Sequence, residues 1–396
     1  MKKIILIFLS IFYGVGIFAQ QPVTSRQLID AKQHFETSEN GETAYSFLLR
    51  NADKELKKIL KPVTEKKLVA GSGDKHDYVS MGPYWWPDTA KSDGLPYIRK
   101  DGQRNPEINN LDRYKLDDLS KNISTLSYAY FFSGEEKYAI QAVKNLQMWF
   151  LDKKTRMNPN LEYGQMIPGH NNGEGRAEGI IDTYCFAEMV NCINLLSSSR
   201  ALNKEDYAAL KQWFSDYLDW LLASKIGSDE RNAENNHGLA YDVQVTAYAL
   251  FTGRKDVADK VIADFAGSRL FKQIEPDGSQ PLELARTIAL HYSLFNIEHA
   301  MDMCDLAKSV GVDLYHSTSP DGRSLNKAIE FISIYLGKPQ SYFPYQQIKE
   351  WNLNQEKLCW TLKRSTTFQP NADYQKLFDK YCKTKETDIR WLFYAQ

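Results

Sequence analysis

Apolar residues in this chain recur at the spacing of an α-helix, segment after segment. Leu116, Leu119, Ile123, Leu126 and Tyr130 fall at intervals of three and four, which places them on one helical face. Gly134 then reads as a helix stop, and Tyr138, Ala142, Leu146 and Trp149 define a second face. Further helical stretches fall near 25–37, 42–60, 176–198, 203–224, 237–252, 254–265, 281–309 and 322–337. Strands of period two are scarce. Phe132-Ser133-Gly134 with Ala139 recurs as Phe251-Thr252-Gly253 with Ala258, at matching offsets. A helix, a glycine turn and a second helix, repeated with drift, predict an all-α solenoid or toroid of helical hairpins. Between the helices lie long loops. Residues 70–112 are rich in glycine, proline and aromatics, a combination that marks a working loop more than a disordered one.

The chain has 396 residues, 43% of them hydrophobic, enough for a substantial core. Its formal net charge of −1 argues against nucleic acid as the main partner, since phosphate binding favours a strongly basic chain. A local cluster of cations can still receive an anion inside a neutral protein. Lys2 and Lys3 precede an apolar run from Ile4 to Phe18, followed by Ala19-Gln20. This predicts a signal peptide over residues 1–19, a periplasmic or secreted location without a membrane anchor, and one domain over 20–396. The oligomeric state is not legible. Of the five cysteines, Cys185 and Cys192 stand two helical turns apart, roughly 10 Å by helix rise, too far for a bridge. Buried free thiols are the expectation for the set.

Four constellations stand out as candidate chemistry. Asn235-Asn236-His237-Gly238 precedes a helical run and reads either as a helix cap or as a polar site. Glu283, Arg286, His291, Tyr292, Glu298 and His299 share one segment. Arg286 and Tyr292 are six apart, roughly 120° off a common helical face, so a bend or long side chains must bring them together. The plain alternative is a surface helix with a Glu283–Arg286 pair. The third is the stretch from Tyr163 to Arg176, which includes Gln165 and His170. The fourth is Lys75-His76-Asp77-Tyr78 with Tyr84-Trp85-Trp86-Pro87-Asp88, aromatics that either stack on sugars or fill a core.

These residue types suit one reaction. The C5 proton of a uronate is α to a carboxylate, and removing it needs that charge neutralised. Asn, His and Arg can do so in the manner of an oxyanion hole. A tyrosine can then take the proton and return it to the departing O4 when both lie on one ring face. Its pKa, normally near 10, must fall for the base role.

Several of these segments resemble the alginate lyase family: His76-Asp77-Tyr78 with Tyr84-Trp85-Trp86-Pro87-Asp88, Gln165 to Arg176, Asn235-Asn236-His237, and Arg286 with Tyr292. The match spans roughly residues 70–300 and keeps family order. The resemblance implies an (α/α) toroid of about six or seven hairpins with a groove at one end. It implies elimination on an anionic polysaccharide without metal or cofactor. Tyr292 would act as base and acid, and Asn236, His237 and Arg286 would hold the carboxylate. Tyr84, Trp85, Trp86, Gln165, His170, Arg176 and Asn235 would bind the sugar chain. The spacing between Arg286 and Tyr292 departs slightly from alginate-specific members, which leaves glucuronan beside mannuronate-rich alginate as substrate. Two other readings compete. A glycoside hydrolase on the same toroid would use paired carboxylates among Glu174, Glu178, Asp182 and Glu283. A non-catalytic protein would bind glycan without turning it over. No HExxH motif supports a zinc enzyme.

Overall fold

The computed structural model describes residues 25–382 and 387–394; the expected leader at 1–19 lies outside them. Helices dominate. In chain order they are α1 (Ser25–His34), α2 (Glu39–Glu55), α3 (Asp112–Ser133), α4 (Glu136–Leu146), α5 (Phe186–Leu196), α6 (Lys204–Ala223), α7 (Lys225–Arg231) and α8 (Asn236–Thr252). There follow α9 (Lys255–Phe265), α10 (Phe271–Gln273), α11 (Pro281–Leu284), α12 (Ala289–Ser309), α13 (Leu325–Ser333), α14 (Trp351–Ser365), α15 (Ala372–Tyr381) and α16 (Arg390–Phe393). Four short strands lie in the loops: β1 (Val79–Met81), β2 (Trp85–Trp86), β3 (Ile98–Arg99) and β4 (Tyr163–Met166). β1 pairs with β4 in parallel, and β2 with β3 antiparallel.

The helices form a toroid. α2, α3, α5, α8, α12 and α14 pack in succession. α16 packs on α2, and its Trp391 meets Trp360 of α14 at 5.3 Å between ring centroids, which closes the ring. Burial separates inner wall from outer wall. α8 is buried on every side, from Leu239 and Tyr241 to Thr246 and Phe251, as a helix enclosed by neighbours must be. Its hairpin partner α9 buries only Ala258, Ile262 and Phe265, one stripe of an amphipathic helix. The sequence echo marks two equivalent hairpins. Gly134 (φ 73°) and Gly253 (φ 85°) end α3 and α8 in the left-handed region that favours glycine. Ala139 and Ala258, both fully buried, seat the returning helices.

The axis of the ring is polar as well as apolar. Arg364 of α14 lies between Asp302 (2.7 Å) and Asp305 (2.6 Å) of α12, all within 2% exposure. Tyr184 donates its hydroxyl to Asp302. Burial pushes Asp302 up to about 7, against the pull of Arg364. Glu188, which accepts from Tyr128 at 2.8 Å, is pushed up to about 8 by burial.

Three expectations change. The helix expected over 281–309 breaks between α11 and α12, after Pro281 starts a single short turn. The one expected over 176–198 starts as a 3₁₀ segment, Ala177–Thr183, before α5. The cysteines are not all free: Cys359 of α14 is bridged to Cys382 beyond α15, with Cα atoms 5.7 Å apart, whereas Cys185, Cys192 and Cys304 are buried thiols. Sequence separation hid the bridge, because α14 and α15 fold back as a hairpin that brings the two residues together. No described helix is long and apolar enough to cross a membrane.

Candidate active site

A cavity of about 760 Å³ opens at one end of the ring. Two inner helices, α8 and α12, start at its wall. Their macrodipoles turn positive ends toward that wall, while their first N–H groups are taken up by Glu283, Asn235, Gln346 and Gln347. The segment before α8 is fixed from behind. Buried Arg269 pairs with Asp242 (2.8 Å) and donates to the carbonyls of Arg231 and Ala233. Gly238 permits that approach, since a Cβ there would lie 2.1 Å from the Ala233 carbonyl oxygen. Asn235 caps α8, its side chain accepting from the His237 N–H at 3.2 Å. The cap reading therefore holds for Asn235, and Asn236 and His237 occupy the first turn behind it.

Three polar residues at this wall have a carboxylate behind them. Asn236 is fully buried and donates to Glu283 from its backbone N–H (2.8 Å) and its side-chain amide (2.8 and 3.0 Å). His237 Nδ1 lies 2.7 Å from Glu230 Oε1. Burial works against a charge on His237, yet the charge and hydrogen bond of Glu230 prevail and raise its pKa. Burial also raises Glu230, with His237 opposing. Arg286 stands in the break between α11 and α12, where it pairs with Asp101 at 2.7 Å. That ion pair replaces the expected local one with Glu283.

The break solves the spacing problem. It lets the Arg286 guanidinium fold over the Tyr292 ring, 3.7 Å from its centroid, although a continuous helix would have turned them apart. Tyr292 is nearly buried and donates its hydroxyl to that of Tyr84 at 3.0 Å. Burial and Tyr84 raise the phenol's pKa, and Arg286 pulls it down. Tyr292, Asn236, His237, Arg286, Tyr84, Trp85, Gln165, Arg176 and Asn235 all line the one cavity.

On the opposite wall Gln165 bridges Asp182 (3.0 Å) and Arg176 (2.8 Å). Its backbone is held at φ 48°, a strained value for a non-glycine residue. The Arg176 guanidinium lies 6.0 Å from the Trp85 ring centroid. Two expected sugar-binding residues stand outside the lining. Trp86 donates its indole N–H to the Gln103 carbonyl (2.9 Å), so it ties the β2–β3 hairpin to its own loop. The His170 ring is engaged by the Tyr97 carbonyl (2.9 Å) and packs edge-on to Trp85. His76 and Asp77 are likewise structural: His76 bonds the Arg156 carbonyl, and buried Asp77 accepts from Ser72 and Asn158.

The sequence reading missed Arg99, Arg104 and Arg113, which also line the cavity. It missed Glu230 and Asp101 too. Isolated charges in loops carry no periodic signal, so nothing in the chain singled them out. Of the four carboxylates considered for a hydrolase, exposed Glu174 is outside the cavity lining and the other three are otherwise engaged. Asp182 is buried against Arg113, Tyr78 and Ser80, Glu178 pairs with Arg176, and Glu283 sits behind Asn236.

A helical toroid with a groove at its mouth is the architecture of a polysaccharide lyase, and comparison with known proteins places the chain in that class. The chain belongs to the alginate lyase family, whose model, described as Alginate lyase, matches residues 62–342. A solved alginate lyase from Bacteroides ovatus is 51% identical, with TM-score 0.92 over 96% of this chain and 99% of that one. Alginate lyase A1-III from Sphingomonas species A1 is 14% identical, with TM-score 0.56 over 95% and 96% of the two chains. A variant of A1-III complexed with a tetrasaccharide gives TM-score 0.64 at 13% identity over 95% of each. At that identity the A1-III likeness concerns the fold. No curated protein matches this chain in sequence.

Proposed function

We propose that this lyase is exported and cleaves a uronate polymer, mannuronate-rich alginate or glucuronan, by syn β-elimination. One observation carries the reading: the Tyr292 hydroxyl shares a single cavity with Asn236, His237 and Arg286. The imidazolium of His237, sustained by Glu230, and the guanidinium of Arg286 offset the sugar carboxylate's charge, which makes the C5 proton more acidic. Tyr292 as phenolate takes that proton. The C5–H electrons form the C4=C5 bond, the C4–O4 bond breaks, and the same proton passes to O4. Both transfers need H5 and O4 on one ring face. Mannuronate and glucuronate meet that condition; guluronate, the C5 epimer, does not. The phenol is the favoured form, because burial and Tyr84 raise its pKa against the pull of Arg286. The cationic groups and the two helix N-termini support an anionic chain over a neutral one.

The test is a panel of mannuronate blocks, guluronate blocks, glucuronan and hyaluronan, read by the ultraviolet absorbance of the new double bond. Absorbance should rise with mannuronate blocks or glucuronan. Cleavage of those polymers without it would mean hydrolysis and end the elimination reading.

A further inference from the structure

Glu283 is a carboxylate with 2% exposure, and it stands behind Asn236 away from the cavity lining. Among the described residues no cation lies within ion-pair distance of it; Arg286, three residues on, is engaged by Asp101. Its three hydrogen bonds all come from Asn236. The side-chain NH₂ of Asn236 is thereby committed to Glu283, and its Oδ1 is buried without a partner. That orientation is the wrong one for an anion. A sugar carboxylate needs an N–H donor, and an amide oxygen repels it.

Turning the Asn236 amide half a revolution about its last torsion would exchange oxygen for NH₂ without moving the chain. While Glu283 is ionised, the turn sets oxygen against oxygen. Once Glu283 carries a proton, its O–H donates to Asn236 Oδ1, and the backbone N–H of Asn236 keeps its bond to the other carboxyl oxygen. A carboxylate arriving in the cavity favours the protonated form, since like charges close together cannot both persist. Burial acts the same way and raises the Glu283 pKa, against the pull of the Asn236 donors and of the charges on Arg286 and on His237 from α8.

We propose that Glu283 is the positioning residue for Asn236: on binding an anionic sugar it takes up one proton from solvent, and the Asn236 amide turns to present its NH₂ to the sugar carboxylate. This rests on the uronate-lyase reading above.

The test is calorimetry of a mannuronate or glucuronate oligomer binding to the Tyr292→Phe chain, in buffers of different ionisation enthalpy, from neutral to alkaline pH. Proton uptake should approach one per site. At neutral pH, where His237 keeps its proton, it should vanish in Tyr292→Phe/Glu283→Gln, with affinity within about threefold of the parent. A glutamine there accepts from the Asn236 backbone and donates to its Oδ1, the same pattern as the protonated acid. Glu283→Ala should lose affinity more than tenfold. Binding with no proton exchanged, or equal uptake after Glu283→Gln, would overturn the inference and leave the lyase reading intact. No binding of either oligomer would remove both. If Glu283→Gln does not fold, the infrared difference spectrum of Tyr292→Phe/Glu230→Gln on binding decides. A new protonated-carboxyl band supports the inference, and its absence overturns it.

Discussion

Replacing Glu230 by glutamine isolates the charge that sustains His237. The two side chains meet at 2.7 Å, with 1% and 18% of their side-chain surfaces exposed, so solvent screens the pair little. Glutamine keeps the size and can still accept from Nδ1, so the ring stays in place. What is lost is the difference between a charge-assisted hydrogen bond, about 1.5–3 kcal/mol, and a neutral one, about 0.5–1.5 kcal/mol. That difference of roughly 1–1.5 kcal/mol corresponds to about a five- to tenfold loss of kcat/KM at neutral pH. The sign of the pH effect follows from the linkage. Glu230 raises the His237 pKa, so the imidazolium persists below that raised value and is lost as pH rises through it. Without the carboxylate the pKa falls, and the pH at which the rate stops rising moves toward acid. Glu230→Ala should cost more, about a hundredfold, because the ring also loses its orientation. The assay is the initial rate of double-bond formation across a pH series, with thermal unfolding as a control. A Glu230→Gln enzyme with wild-type kcat/KM, whose rate stops rising at the same pH as the wild type, would refute the imidazolium role of His237.

Other outcomes follow from the same geometry. Tyr292→Phe should lower kcat by about 10²–10⁴-fold while oligomer affinity, measured by calorimetry, stays within threefold. The wild-type kcat/KM should rise with pH as the phenolate share of Tyr292 grows, and level off once His237 loses its proton, because the two changes then cancel. Arg364→Met should destabilise the ring by about 3–5 kcal/mol in chemical denaturation, because it removes the guanidinium that pairs with buried Asp302 and Asp305. That deficit should shrink as pH falls, since these carboxyls then take up protons. Cys382→Ser opens a loop of sequence separation 23 and should cost about 3 kcal/mol in the same measurement, with KM unmoved.

Local sequence determined the helices and their pairing. The three-and-four spacing of Leu116 to Tyr130, and the glycine stops at Gly134 and Gly253, set α3, α4, α8 and α9, because helix formation depends on neighbours a turn away. The segments carrying Asn235-Asn236-His237 and Arg286 with Tyr292 were legible too, as polar residues set into apolar runs. Tertiary structure alone decided which side chains meet. Asp101 reaches Arg286 across 185 positions, Tyr84 reaches Tyr292 across 208, and Glu283 reaches Asn236 across 47. The break after α11 and the Cys359–Cys382 bridge belong to the same class. Folding of the loops and hairpins onto one another brings such residues together, and no periodicity along the chain records a contact made that way.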